Sequence, residues 1–176
     1  EHLNRAKDAG YLVIVEGESD CWTLWKNDIP ALGIPGSKAA SCLAIEDVNG
    51  IGTIYVFRES DAAGAAFPAH VAKRLRQIGY TGTVKKISLE DFKDVNDAHK
   101  ERPTHLKGMI GAAISKAQDI DLPVVPESIT PSEPVEPGDR VPADQIVKTY
   151  VKRSEEGNRN NTGVDLACQL RDNGYS

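Results

Sequence analysis

The chain has 176 residues, a formal charge of -5 and 27% charged residues, room for one domain of ordinary size and a small appendage. The acidic balance argues against a polybasic nucleic-acid binder but does not exclude an enzyme whose acids hold metal ions, because bound cations reverse the local field. No apolar run approaches the length of a membrane span, and no signal-peptide pattern precedes the first apolar run, so a cytoplasmic protein is expected. Cys21, Cys42 and Cys168 show no CxxC spacing and read as reduced residues of that compartment, neither zinc ligands nor a disulfide. The absence of an initiator methionine reads as an excised fragment.

In chain order, Glu1 to Ala9 reads as a short helix stopped by Gly10. Tyr11 to Val15 is an uninterrupted apolar run ending in acids and a glycine, the pattern of a strand buried on both faces. Ser19 then reads as the cap of a helix through about Asn27, with Cys21, Trp22, Leu24 and Trp25 on its buried face. Ala31 to Ile34 is a second strand leading into Pro35-Gly36-Ser37-Lys38. That turn either offers backbone N–H groups and Lys38 to a phosphate or is only tight. A helix over Ala39 to Ile45 and the strand Thr53 to Phe57 follow. Arg58 is either a structural counter-ion or a ligand for nucleotide phosphate.

Phe67, Val71, Leu75 and Ile78 form one helical stripe, ended by Gly79, with Pro68 in its first turn. Lys73, Arg74 and Arg76 face the other way, as a solvated surface or, with Lys85 and Lys86, a place to meet nucleic acid. Thr83 to Leu89 is a fourth strand, and the segment after it brings Lys93, Asp94 and Asn96 to the same sheet edge. Asn96 is either a neutral oxygen ligand or a turn-forming residue. Thr104 caps a last helix through about Lys116. Six prolines between Leu122 and Pro142 predict an extended tether, beyond which Ile146, Val147, Tyr150 and Val151 trace a helix and Leu166, Ala167 and Leu170 begin another.

If the strands ending at Val15 and Phe57 are neighbours, Glu16 lies beside Glu59 and Asp61, with Asp20 one helical turn beyond. Carboxylates so crowded repel by roughly 1 to 4 kcal/mol per close pair, and a hard divalent cation is the natural counter-charge.

Glu16-Gly17-Glu18-Ser19-Asp20, then Glu59-Ser60-Asp61 followed by Ala63-Gly64, then Lys93-Asp94-Val95-Asn96-Asp97, resembles the Toprim domain of topoisomerases and primases, in its bacterial and mobile-element primase-like form. The likeness covers Leu3 to Gln118 and departs from the family at Glu59, where aspartate is usual. It implies an α/β, Rossmann-like, mostly parallel four-stranded sheet flanked by helices over residues 1–120, then a Pro-rich linker (121–142) and a small helical segment (143–176). Gly157, Arg159, Asn160, Leu166, Ala167, Leu170 and Gly174 are similar to the C-terminal helical domain of primases from mobile elements, here incomplete.

The resemblance implies magnesium or manganese, in up to two sites, held by Glu16, Glu59, Asp61, Asp20 and Asp94, with Glu16 and Asp61 catalytic. Arg58, Lys38 and Lys93 would take nucleotide phosphate, and Lys73, Arg74 and Arg76 nucleic acid. The implied activity is nucleotidyl transfer making RNA primers on single-stranded DNA from nucleoside triphosphates, with a fused or associated helicase and no membrane. The alternatives are a Toprim-type metal-dependent nuclease and a non-catalytic scaffold that binds nucleic acid or recruits a helicase.

Overall fold

The computed structural model describes residues 2–60, 64–120 and 142–154 together with Leu166 and Leu170, and the backbone alone for Ser37, Lys38 and residues 149–154. The chain divides into two units, Glu1–Val124 and Val125–Ser176. Within the first, helix α1 (His2–Ala9) ends at Gly10, whose φ of +75° turns the chain straight into strand β1 (Tyr11–Val15). Helix α2 (Glu18–Lys26), strand β2 (Ala31–Gly33), a 3-10 helix (Ser37–Cys42), helix α3 (Ile45–Val48) and strand β3 (Thr53–Phe57) follow. Then come helix α4 (Phe67–Gln77), strand β4 (Thr83–Ile87), helices α5 (Val95–Glu101) and α6 (Leu106–Ser115) and the short strand β5 (Gln118–Asp119).

Among the described residues the strands form one sheet in the order β2-β1-β3-β4-β5, parallel except at β5. The architecture is α/β, with a mostly parallel sheet flanked by helices. The sequence predicts the four parallel strands. The fifth is an antiparallel edge of two residues, where Lys85 pairs with Asp119 at 3.2 Å, and it is too short to carry a hydrophobic pattern.

The strand order dictates where the helices lie. From β1 the chain moves one way to β2, then crosses back over β1 to β3 and on to β4; right-handed crossovers therefore put α2 on one face and α4 on the other. Burial agrees. Val13, Val15 and Phe57 join the buried side chains of α2, α5 and α6 in one cluster, whereas Phe67, Val71 and Leu75 of α4 are buried outside it. Leu12 and Ile14, of opposite parity to Val13, are fully buried as well, so β1 is covered on both faces.

Several expectations are corrected. Trp22 is 61% exposed, because α2 buries the stripe of Asp20, Cys21 and Leu24 and Trp22 projects off it. Trp25 is half-buried, stacked on His2 at 3.8 Å and donating its indole N–H to the Ala31 carbonyl at 2.8 Å. The helix expected over Ala39 to Ile45 is broken: the 3-10 turn stops at Leu43, and Asp47 accepts the Ala44 N–H at 2.9 Å to start α3. Thr104 does not cap α6; His105 occupies that position, and the Thr104 hydroxyl lies 3.1 Å from its ring Nδ1. Cys21 is a buried free thiol, but Cys42 is disulfide-bonded, against the expectation of three reduced cysteines.

In the second unit, helix α7 (Ala143–Ser154) contains the predicted Ile146, Val147, Tyr150 and Val151, with Ile146 buried and Lys148 reaching Asp144 at 3.2 Å. Leu166 and Leu170 are helical, as the pattern predicts. The expected proline-rich tether lies outside the described residues except for Pro142. Among the described residues no helix is long and apolar enough to cross a membrane.

Leu106 is fully buried in the cluster that joins α6 to α2 and α5. Leu106→Ala is expected to cost about 2 to 5 kcal/mol of unfolding free energy, read by urea denaturation.

Candidate functional site

Parallel strands bring their carboxyl ends to one edge of the sheet, and in open α/β sheets ligands bind at that edge where the strand order reverses. Here the reversal falls between β1 and β3. Their register pairs Tyr11 with Thr53 through Ile14 with Val56, and Glu16 follows the end of one strand as Arg58 and Glu59 follow the end of the other. The third acidic stretch reaches the same place. The Arg58 N–H donates to the Ile87 carbonyl of β4 at 2.8 Å, and the Ser60 N–H donates to the Lys93 carbonyl at 3.3 Å. Backbone hydrogen bonds therefore tie the segment after β3 to the segment after β4, beside the end of β1.

Two glycines shape the first turn. Gly17 sits at φ +132°, ψ 153°, a conformation open essentially to glycine, and caps α2 without a side-chain hydrogen bond. Ser19 is thus inside the helix and not its cap, a correction to the predicted start. Gly33, at the end of β2, has the Gly17 carbonyl oxygen 2.6 Å and the Cys21 Cβ 2.9 Å from where its own Cβ would lie. Only a residue without a side chain lets the Glu16-Gly17-Glu18 turn fold down onto β2.

The tight turn carries Asp20 into the protein, where it is buried in the first turn of α2. Its carboxylate Oδ1 accepts the Asn96 N–H at 2.9 Å. The Asn96 side chain completes a clasp between α2 and α5: its Nδ2 donates to Ser19 Oγ at 2.8 Å, and its Oδ1 accepts from Thr23 Oγ1 at 2.5 Å. Asp94 caps α5, accepting the Asp97 N–H at 2.8 Å. Burial pushes Asp20 up to about 6, Asp94 and Asp97 pushing the same way, while the Asn96 N–H and Lys100 oppose them. These three hydrogen bonds give Asn96 a fixed structural role that spacing did not reveal; short polar residues facing each other across two helices were the available signal.

The other expected residues are placed as follows. Lys93 is exposed and Arg58 is exposed at the strand edge. Lys38 falls in the 3-10 helix beyond β2, on the same edge, and its side chain lies outside the described residues. Lys73 and Arg76 are exposed on α4, whereas Arg74 is half-buried and its Nε donates to the Leu43 carbonyl at 2.9 Å. Asp61 lies outside the described residues. Among the described residues no group of three or more His, Cys, Asp or Glu side chains is placed to hold a metal ion. The donor chemistry nonetheless suits a hard cation: Glu16 and Glu59 supply carboxylate oxygens at adjacent strand ends, and Asp20 with Asp94 form a second carboxylate pair one turn away.

Gly33→Ala is expected to destabilise the protein by roughly 1 to 3 kcal/mol through overpacking against Gly17 and Cys21, measured by urea denaturation. Asp20 binds its proton more tightly folded, at about 6, than unfolded, near 3.8, so with chelator present its contribution weakens the fold progressively from about pH 4 to about pH 6 and stays unfavourable above. Asp20→Asn keeps an acceptor for the Asn96 N–H; it should match the wild type at pH 4, exceed its stability at pH 7.5 and flatten the profile between.

No protein-family model matches the chain and no curated protein matches it.

Proposed function

We propose that the first unit is a Toprim-type catalytic domain of a primase-like enzyme, joining nucleotides into RNA primers on single-stranded DNA. The observation that carries the reading is the in-register parallel pairing of β1 with β3, which brings Glu16 and Glu59 to one edge at the point of strand reversal. The Lys93 carbonyl, bound to the Ser60 N–H, ties in the segment that ends in Asp94 and Asn96. Supporting it is the order of the three acidic motifs along the chain.

On this reading Glu16, Glu59 and Asp61 would hold one magnesium or manganese ion, and Asp20 and Asp94 would contribute to a second. When bound, such ions supply Lewis-acid activation of a 3′-hydroxyl and neutralise the leaving pyrophosphate. The protein's own residues have distinct tasks. Glu16, on a turn fixed by Gly17 and Gly33, accepts the hydroxyl proton. Arg58, Lys93 and Lys38 on the same edge orient triphosphate oxygens, Arg58 through the flat fork that suits phosphate. Exposed Lys73 and Arg76 on α4 meet the template backbone weakly, consistent with a chain of net charge -5 that would need a helicase partner to hold its DNA.

Primer synthesis from nucleoside triphosphates on a single-stranded template tests the proposal. Glu16→Gln and Asp61→Asn should each lower the rate by about 10²-fold or more, and chelation should abolish it until manganese is restored. Activity surviving in both variants refutes the assignment. Template shortening without nucleoside triphosphates would instead identify a nuclease working from the same acids.

A further inference from the structure

A second site opens beside the carboxylate edge, between the loop that follows β4 and helix α6. It is a cleft of about 470 Å³, within the range of small-molecule sites. Arg58, Lys86, Arg102 and Lys116 line it, opposed by Glu90 and Asp91. The cleft wall therefore carries two surplus positive charges on a chain whose total is -5.

The four cations come from four separate elements: the end of β3, the body of β4, the residue closing α5 and the residue closing α6. Like charges gathered from such distant points repel each other, and an anion between them removes that repulsion. Arg102 is held for the purpose. Its guanidinium carbon stands 5.4 Å over the centroid of the buried Phe92 ring, a cation–π contact that restrains the side chain. Its Nε lies 3.8 Å from Glu101.

We propose that this cleft binds the phosphate chain of a nucleoside triphosphate. Its size suits one nucleotide, whereas single-strand grooves track roughly four or more nucleotides, and the overall negative charge disfavours an extended polyanion. The carboxylates of Glu90 and Asp91 accept hydrogen bonds from ribose hydroxyls or a base amino group. Arg58 lines the cleft and neighbours Glu59, so the triphosphate is handed toward the carboxylate edge. That the anion is a nucleotide rests on the nucleotidyl-transfer reading; that the cleft takes a polyphosphate does not.

Calorimetric titration of the full chain with ATP in chelator, without divalent ions, separates the cleft from the metal reading. Wild type should bind with an affinity that falls steeply with salt, and inorganic tripolyphosphate should compete. Arg58→Gln combined with Arg102→Gln should weaken ATP at least tenfold and Lys116→Gln should weaken it further, while Lys107→Gln, on the same helix outside the cleft, should match the wild type. Circular dichroism and melting of each variant confirm that it is folded. No binding to the wild type, or equal binding by the double variant, overturns the proposal. So does a ten-residue oligo-dT whose binding is lost in the double variant while ATP is unaffected, since that places a strand in the cleft. Loss of primer synthesis in Glu16→Gln with ATP affinity in chelator intact supports both readings independently.

Discussion

The first turn of the carboxylate edge depends on a contact between two backbones. The Gly17 carbonyl occupies the space where a Cβ on Gly33 would stand, and Gly17 itself takes a φ that residues with side chains rarely adopt. With both positions empty of side chain, α2 begins immediately at the end of β1 and lies close over β2. A larger residue at either position would lift the start of α2, and with it both Glu16 and Asp20, away from the strands that Glu59 follows.

That closeness has an electrostatic consequence. The first turn of α2 is pressed inward far enough to bury Asp20, a carboxylate that loses much of its hydration and faces Asp94. The Asn96 N–H offsets part of this cost, and the Asn96 side chain locks Ser19 and Thr23 so that α2 and α5 cannot separate. Fixed partners on both sides hold the charge where burial disfavours it.

The sequence announced β1 and β3 best, because both run through the middle of the sheet and are largely apolar. Tyr11 to Val15 and Thr53 to Phe57 were legible to the residue for that reason. Helices with one solvated face were less so. Two nearby tryptophans looked like a buried pair, yet the position of Leu24 and Cys21 decided which side of α2 faced the core, and Trp22 was turned outward. The segment from Ser37 to Val48 carries short apolar residues that fit an α-helix on paper; the actual 3-10 turn and four-residue helix are set by where the chain must re-enter the sheet at β3. Helix α5 went unseen because its seven residues give fewer than two repeats of any pattern, although Asp94 is a good cap. The Asn96 clasp joins residues more than seventy positions apart, a relation that spacing within one element never encodes.

On the proposed readings, the two sites together sort charge by sign along a single edge. Glu16 and Glu59 follow the ends of β1 and β3; Lys86, Arg102 and Lys116 line the cleft one strand further, beside β4, and Arg58 lines the same cleft next to Glu59 in the chain. A uniformly basic edge would bind phosphate strongly but repel divalent ions, and a uniformly acidic one would do the reverse. Nucleotidyl transfer on the proposed reading needs both within one nucleotide's length, and the parallel sheet supplies that spacing directly, since neighbouring strands lie roughly 4.8 Å apart. The net charge of the chain then measures very little about what this edge binds, because Arg58, Lys86, Arg102 and Lys116 are gathered around one cleft whatever the total of -5.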